Sequence, residues 1–443
     1  MKHSVYAVSL VSVLLLSGAS CAQGVNPALK TDYDRAFQEM ISDPGNMDKM
    51  FSFARIAADG GDYEGAIGAL ERMLIYNRNL PRVRLELGSL YYRLGSYELA
   101  RSYFEEALAT PGVPDEVKAR AEEFLAGIDE GSRSFTIRGQ VSGGVRYQTN
   151  ANAGPVGDRV EIFGLPATIS GGGQSKSDFS IFTAANLAAN YDPGLQSGLL
   201  LESNANLYVG RQMTLTELSV TAAEIDFGPR YFFAPADKAM GSIRPYVLGS
   251  YISVGDNPYS SGFGGGVSGQ IRLASDAMLD ATLELRSVDY MSSSLRAALD
   301  ERDGEVVNLK TGLSVILTPT DMIRGEIELE SNNADADYER YGEVGATFTY
   351  SRQWPAPWEF NRQAWTTALQ LGVTGRRYDA PDATIDPTER RRDREWFLGG
   401  SLQVPLREGW AGVLDMRYTN TTSNLPNYEY KDFAVTLATS YRF

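Results

Sequence analysis

The spacing of apolar residues changes once along this chain, from a helical period to a strand period. Between Thr31 and Ile128, apolar side chains recur every three or four residues, which predicts amphipathic helices. From Phe135 to Phe443 they alternate with polar residues, which predicts strands with one apolar and one polar face. The pattern therefore predicts an all-α part followed by an all-β part.

The helical part contains an internal repeat. Four positions recur after 34 residues, namely Gly61, Tyr63, Ala66 and Leu70 as Gly95, Tyr97, Ala100 and Phe104. This period is typical of tetratricopeptide repeats. The second copy adds further positions of that repeat, namely Leu87, Gly88, Tyr91 and Ala107. We expect Gly88 and Ala100 to lie where two helices of a hairpin cross closely, and we expect Tyr91, Tyr97 and Phe104 to fill the space between hairpins. These positions are thus predicted to pack helices rather than to contact a ligand.

Two flanking helices are expected to cap the repeat pair. Thr31–Ile41 has an apolar side and is followed by the breaker Asp43-Pro44-Gly45. Asp115–Ile128 is amphipathic as well, with Pro114 before it and Gly131 after it. We therefore expect a tetratricopeptide-repeat domain over residues 23–131.

Alternation and turn residues predict fourteen antiparallel strands over residues 132–443. The predicted strands are Phe135–Gln148, Phe179–Tyr191, Ser197–Val209, Leu215–Phe227, Ser242–Val254, Gly262–Leu273, Met278–Tyr290, Val306–Leu317, Met322–Ser331, Tyr341–Arg352, Ala364–Tyr378, Glu395–Pro405, Trp410–Thr421 and Tyr430–Phe443. Glu224, Asp226 and Tyr231-Phe232-Phe233 do not alternate cleanly, which predicts a bulge or a strand extension there.

The connections between these strands follow a pattern that favours a transmembrane β-barrel over a soluble sandwich. Those after even-numbered strands are mostly short, whereas three of those after odd-numbered strands are long and polar: Thr149–Asp178, Met291–Glu305 and Asp379–Arg394. Outer-membrane barrels have short periplasmic turns and longer external loops. An even number of strands then brings both ends of the barrel, and the helical part with them, to the periplasmic side.

Aromatic residues fit the same interpretation. The five tryptophans at positions 354, 358, 365, 396 and 410 are expected near strand ends, where a membrane interface would hold them. The last strand carries one apolar face that ends at the C-terminus, formed by Phe433, Val435, Leu437, Thr439, Tyr441 and Phe443. This ending resembles the signal that the outer-membrane barrel-assembly machinery reads, which makes that machinery and outer-membrane lipids expected partners.

The opposite face of the strands is predicted to line the barrel. It includes Glu202, Glu284, Arg286, Lys310, Arg324, Glu326, Glu328, Arg376, Asp415 and Arg417. Mixed charge suits a polar pore and a protein-passing interior equally, and we expect most of these residues to be a solvated wall. The basic run Arg390–Arg394 is predicted to lie in an external loop, either solvated or in contact with lipopolysaccharide phosphates.

The N-terminus predicts a secretory signal over residues 1–22, with Lys2 before an apolar core. Cleavage after Ala22 is one interpretation, and the other is a lipobox that leaves Cys21 lipidated. The chain's one histidine, His3, and its one cysteine, Cys21, both belong to this segment. Hydrolase triads and Cys/His zinc sites are therefore excluded from the mature chain, and we expect no enzyme activity and no cofactor. A net charge of -15 argues against a nucleic-acid partner.

Signal, repeat module and fourteen-stranded barrel together resemble the surface lipoprotein assembly modulator (Slam) family. The segment from Gln148 to Pro155, which follows the first strand, is similar to an Asn-rich segment of that family. The resemblance implies a translocator that recruits a periplasmic client, a lipoprotein or secreted protein, through its repeat domain and assists its export to the surface. A porin or a polysaccharide export conduit is the alternative.

Overall fold

The structure, a computed structural model, describes residues 27–131, 134–169, 173–194, 199–233, 241–293, 296–357 and 363–443. The predicted signal at 1–22 and Trp358 lie outside the described residues. The chain divides into two compact units at Ser134. Six helices form the first unit: α1 Pro27–Ser42, α2 Met47–Asp59, α3 Tyr63–Tyr76, α4 Pro81–Arg93, α5 Tyr97–Leu108 and α6 Asp115–Gly131. Among the described helices, none has the length and apolar character needed to cross a membrane.

The recurring glycines of the repeat explain its two hairpins, α2–α3 and α4–α5. Gly61 and Gly95 each occupy the turn between the paired helices with φ of +85° and +74°. Side chains other than glycine rarely adopt this left-handed region, so the turn requires glycine in both copies. Asp62 then caps α3 by accepting a hydrogen bond from the amide of Gly65 at 3.0 Å. The hydroxyl of Tyr33 donates to the other Asp62 oxygen at 2.6 Å, which ties α1 to the first hairpin.

The second hairpin packs as closely as its small residues allow. A Cβ at Gly88 would lie 2.5 Å from the ring of Phe104, so only glycine fits where α4 crosses α5. Phe104 is fully buried and stacks on Phe124 of α6 at 4.9 Å between ring centres. Tyr97 does not fill the space between hairpins as expected: it is 49% exposed. As the first residue of α5, it lies at the end of the hairpin and contacts the ring edge of Tyr92 instead.

A tyrosine cluster joins three helices of the repeat unit. The rings of Tyr91 on α4 and Tyr103 on α5 stack at 5.5 Å, and both hydroxyls donate to the Glu71 carboxylate of α3, at 3.1 Å and 3.4 Å. Burial and the nearby Glu71 charge raise the pKa of Tyr103 to about 12. Both hydroxyls therefore remain protonated donors at neutral pH, and the cluster links the first hairpin to the second.

The second unit is a closed antiparallel β-barrel of fourteen strands, which confirms the predicted fold class. Its strands are β1 Phe135–Gln148, β4 Asp178–Tyr191, β5 Leu199–Gln212, β6 Val220–Phe233, β7 Gly241–Val254, β8 Asn257–Ala274, β9 Ala277–Tyr290, β10 Gly304–Thr318, β11 Asp321–Ala334, β12 Tyr341–Trp354, β13 Trp365–Pro381, β14 Arg390–Arg407, β15 Trp410–Ser423 and β16 Tyr430–Arg442. A separate hairpin, β2 Arg159–Ile162 with β3 Leu165–Thr168, lies in the loop between β1 and β4.

The barrel closes between its first and last strands. β16 pairs with β1, and Phe443 exchanges two backbone hydrogen bonds with Gly139, at 3.0 Å and 3.1 Å. A Cβ at Gly139 would lie 2.9 Å from the Phe443 ring, so the glycine leaves room for the terminal aromatic. The predicted assembly-signal residues share the outward face of β16, and four of them are well exposed: Phe433, Leu437, Tyr441 and Phe443.

Three predicted strand starts are wrong. β8 begins at Asn257 rather than Gly262. The fourth barrel strand begins at Val220 rather than Leu215, because the Asp178 carboxylate accepts the amides of Thr214 and Leu215 and turns the chain before the strand. β14 begins at Arg390 rather than Glu395, so the basic run Arg390–Arg394 belongs to a strand and not to a loop.

The sequence pattern predicted either a bulge or a strand extension near Glu224–Phe233, and β6 shows an extension. The strand extends to Phe233 and keeps one register with β7 on both sides of Pro229. Glu224 and Asp226 lie on the inner face, and the residues between and beside them are exposed on the outer face, so this stretch does alternate.

The two rims of the barrel differ in the length of their connections, as the sequence predicted. One rim has turns as short as residues 275–276, 319–320 and 408–409, and the other has loops at 149–177, 291–303 and 382–389. Outer aromatic pairs mark two levels between the rims. Trp410 contacts Tyr441 near the short-turn rim, and Trp396 contacts Tyr418 nearer the long-loop rim. Trp396 therefore lies inside β14, not at a strand end as expected.

Candidate functional site: the polar interior of the barrel

Cross-strand pairing separates an inner and an outer face of the barrel wall. On β10 and β11, Lys310 lies opposite Glu328, whereas the next pair, Leu309 and Leu329, is exposed and apolar. The apolar face is the outer one. The ten residues predicted to line the barrel all have inner-face positions in this register, and each is partly buried: Glu202, Glu284, Arg286, Lys310, Arg324, Glu326, Glu328, Arg376, Asp415 and Arg417.

Arg324 of β11 connects three strands of the inner wall. Its guanidinium donates to both carboxylate oxygens of Asp280 on β9, at 2.6 Å and 2.9 Å. To reach Asp280 it crosses β10 above Gly312, where any larger side chain would collide with it. The same guanidinium contacts Glu326 at 3.0 Å. Arg324 and Glu326 were predicted as wall residues, but Asp280 was not, because its partner lies two strands away.

A second group of charges on β5, β6 and β7 is nearly closed to solvent. Arg230 lies 2.6 Å from the Glu202 carboxylate, and Arg244 pairs with both Glu202 and Asp226. Arg244 is only 4% exposed, so its charge depends on these two carboxylates for compensation. Sequence reasoning found Glu202 alone. Arg230, Arg244 and Asp226 occupy the same face as Glu202 in the alternation of inner and outer positions along paired strands. This alternation could have identified them as inner residues.

The remaining predicted wall residues take part in similar contacts. Arg286 pairs with Glu224 and Glu284, at 3.0 Å and 2.6 Å, and Tyr246 donates to Glu284 at 3.0 Å. Arg376 donates to Glu343, and Lys310 lies 3.3 Å from Glu328. Arg417 lies over the Phe397 ring at 3.5 Å, and Asp415 occupies the neighbouring inner position of β15.

Apart from the charge group around Arg244, the interior is a solvated polar wall and not a packed core. The side chains of Lys310, Glu328 and Arg324 keep 42%, 34% and 23% of their surface exposed. In the described part of the barrel, the buried apolar residues form only two small clusters, around Phe182 and Tyr208 and around Val254 and Tyr259. Because acidic and basic side chains are interspersed on it, the wall offers hydrogen bonds to a polar passenger.

The Asn-rich segment forms a fixed corner at the long-loop rim. The Asp432 carboxylate accepts the amide of Asn150 and the hydroxyl of Thr149, both at 2.9 Å. The Asn152 side chain donates to the carbonyl of Gln174 and accepts the amide of Lys176, both at 2.7 Å. Asn150 and Asn152 are nearly fully buried, and their hydrogen bonds hold the first loop in place.

The first loop also forms hydrogen bonds with neighbouring loops of the same rim. The Asn427 side chain exchanges two hydrogen bonds with the backbone of Glu161 on β2, at 2.8 Å and 2.9 Å. At the tip of the β2–β3 hairpin, the amides of Phe163 and Gly164 donate to the carbonyls of Thr384 and Ile385. The hairpin thus connects the loops that follow β1, β13 and β15, and the long-loop rim of the barrel is a structured surface there.

The assignment of the two faces predicts different reactivity at neighbouring positions. We expect Thr347→Cys, on the inner face, to react with a small water-soluble maleimide in membranes, whereas Ala346→Cys, on the outer face, is shielded by lipid. Both are made in a Cys21→Ser background and compared by mass shift. Equal labelling at the two positions, before any detergent is added, would contradict a water-filled interior.

Comparison with known proteins identifies both units. A tetratricopeptide repeat model matches residues 51–114, and the surface lipoprotein assembly modifier model matches residues 140–443. No curated protein matches the chain.

Similar solved structures fall into two groups. The helices are similar to PcrH from Pseudomonas aeruginosa, with 18% identity, 25% of this chain and 99% of that chain covered, and a TM-score of 0.19. The barrel is similar to Pseudomonas aeruginosa OprD, with 9% identity, 69% and 95% covered, and a TM-score of 0.32. A mutant of the TodX monoaromatic hydrocarbon channel gives 7% identity, 69% and 90% covered, and a TM-score of 0.34. These TM-scores are low, so the likenesses do not bear on function.

The family match covers almost the entire barrel. A closed antiparallel barrel with an apolar outer face is how β-strands cross a membrane, so the chain is an outer-membrane protein. The matched family connects it with the assembly of lipoproteins at the cell surface. The chain belongs to the surface lipoprotein assembly modifier family.

Proposed function

We propose that the protein recruits a periplasmic client, a lipoprotein or a secreted protein, through its helical unit and assists its passage to the cell surface through the barrel. The observation that carries the proposal is the polar, partly solvated interior of a barrel that belongs to this family. A chain segment in transit exposes amide groups, and a wall of paired acids and bases can exchange hydrogen bonds with it.

The helical unit supports the recruitment step. Tetratricopeptide arrays are protein-interaction modules, and most of the repeat's packing positions are occupied by helix–helix contacts in this chain. The remaining residues, together with the exposed repeat position Tyr97, are available to a partner. Several apolar side chains near the turn between α4 and α5 are exposed, namely Leu94, Tyr97 and Leu99 at 47%, 49% and 51%. The short-turn rim, where the helical unit joins β1, is the periplasmic one in this proposal.

Deletion of Ala28–Asp129 tests recruitment. We expect the barrel to assemble while a co-expressed client remains in the periplasm, because nothing then delivers it to the barrel. The measurement is protease access to the client in intact cells, together with heat-modified mobility of the barrel to verify its folding.

A triple variant provides the finer test. Leu94→Ser, Tyr97→Ser and Leu99→Ser together change only exposed side chains, so the helices should remain folded while client display falls. The matched control replaces Ile75 and Tyr76, which are exposed at the end of α3. Undiminished display after the deletion would contradict recruitment. Steady solute conductance that no client changes would favour a porin instead. The proposed role requires no catalytic chemistry and no cofactor.

A further inference from the structure

Four arginines stand on the outer face of two neighbouring strands near the long-loop rim. They are Arg377 of β13 and Arg390, Arg392 and Arg394 of β14, all exposed. Arg391 and Asp393, between them, point inward and pair with each other at 2.7 Å, so the outer row is not part of the interior network. Such a row is unusual on a chain whose net charge is -15.

The register makes this row costly unless an anion binds to it. Arg377 lies directly opposite Arg392, and like charges in opposed positions destabilise a sheet. Among the described residues, the ion pair found for this row joins Arg392 to Glu389 at 3.7 Å. By contrast Arg211, an outer-face arginine near the same rim on β5, lies 2.6 Å from Asp256. The row therefore lacks the compensation that Arg211 has.

The row also stands at a definite height on the barrel. The next outer position of β14 after Arg394 is Trp396, which contacts Tyr418. On β15, Tyr418 lies roughly 27 Å along the strand from Trp410, or roughly 20 Å along the axis at the usual tilt of ~40°. The two aromatic levels thus bracket an apolar band somewhat shorter than the ~25 Å usual for outer-membrane barrels. The arginines lie just beyond it, where lipid headgroups carry their phosphates.

An apolar groove begins below the row on the same surface. It is an open depression of about 480 Å³, lined mainly by outer side chains of β9 to β13: Leu279, Leu313, Ile327, Ala346, Phe348, Leu371 and Val373. Gly325 forms its floor, where a Cβ would touch nothing within 4 Å. Between Val373 and Arg377, Gly375 is equally open, which leaves a path of roughly 13 Å from the groove to the row.

We propose that this surface of β9 to β14 binds one molecule of a phosphorylated, multiply acylated outer-leaflet lipid. Its phosphates would contact Arg377, Arg392 and Arg394 through paired guanidinium hydrogen bonds. One acyl chain would pass Gly375 and lie in the groove over Gly325. The proposal shares with the proposed function only the placement of the long-loop rim outside the cell, and it requires no client.

The test uses the full chain in detergent and native mass spectrometry with added diphosphoryl lipid A. We expect one bound lipid in the wild type. Arg377→Ala with Arg392→Ala should weaken binding by about tenfold or more, because two charge-assisted contacts are lost. Arg211→Ala is the matched control and should bind as the wild type does. Gly325→Trp fills the groove, leaves the arginines in place and should also weaken binding.

Two further arms decide the source of the recognition, and a third verifies folding. Heat-modified mobility verifies that each variant is folded. Lipid A without its phosphates should bind weakly, and inorganic pyrophosphate alone should not compete at the same concentration. Wild-type affinity in the double arginine variant, equal binding of the dephosphorylated lipid, or competition by pyrophosphate would each overturn the proposal. Client display plays no part in this measurement, so the proposed function can fail while the lipid site stands, and the reverse.

Discussion

Replacing Phe104 with alanine is expected to lower the free energy of unfolding of the helical unit by about 3–5 kcal/mol. The side chain is fully buried, lies against Gly88 and stacks on Phe124, so its removal leaves a cavity that no neighbour can fill. A unit of two repeats and two flanking helices has little stability to lose. Thermal unfolding of the full chain, followed by circular dichroism in the helical band, measures the effect.

Tyr97→Ala provides the matched control on the same helix. Tyr97 is also an aromatic position of the repeat, but its side chain is 49% exposed, so we expect a loss of about 1 kcal/mol or less. If the two substitutions lower the free energy of unfolding equally, the burial of a ring does not determine the cost of removing it.

Replacing Leu207 with arginine is expected to lower barrel stability by about 2–4 kcal/mol. Leu207 is an outer residue near the middle of β5, 45% exposed in the absence of lipid, with Ala185 and Ala223 opposite it on the neighbouring strands. A charge there must enter hydrocarbon, which solvates it poorly. Refolding into vesicles at increasing urea concentrations, scored by heat-modified mobility, measures the loss.

The adjacent residue serves as the control for this prediction. Asn206 faces the interior and lies opposite Glu224, so Asn206→Arg places the same charge beside a carboxylate in a solvated space. We expect this variant to fold nearly as the wild type does. A larger loss at Asn206 than at Leu207 would reverse the assignment of the two faces.

Most of the fold was predictable because its rules are local. Alternation at a period of two defined the faces of most strands, since a shift of one residue would exchange the inner and outer faces. β14 was misplaced at its start because a run of arginines resembles a solvated loop. Arg391 shows why it is a strand: its guanidinium lies over the rings of Tyr378 and Tyr428, at 4.6 Å and 3.4 Å, and both rings come from other elements.

The sequence predicted which residues face the interior, but it did not predict which of them form ion pairs with each other. Wall residues such as Arg324 and Glu326 followed from strand parity alone. Their partners did not, because Asp280 is two strands and 44 residues away from Arg324 and contacts it only once the sheet has curved and closed. The row of outer arginines was equally hidden, since Arg377 and Arg392 become neighbours only through the pairing of β13 with β14.

The sequence by itself determined the order of units, the fourteen barrel strands, the two repeat hairpins and the inner or outer side of nearly every barrel residue. These properties depend on spacing along the chain, which a linear pattern contains. Only the tertiary structure decided which charges pair across the wall, that the first loop is bound to its neighbours, and that four arginines stand above an apolar groove. Those depend on register and closure, which bring together residues far apart in sequence.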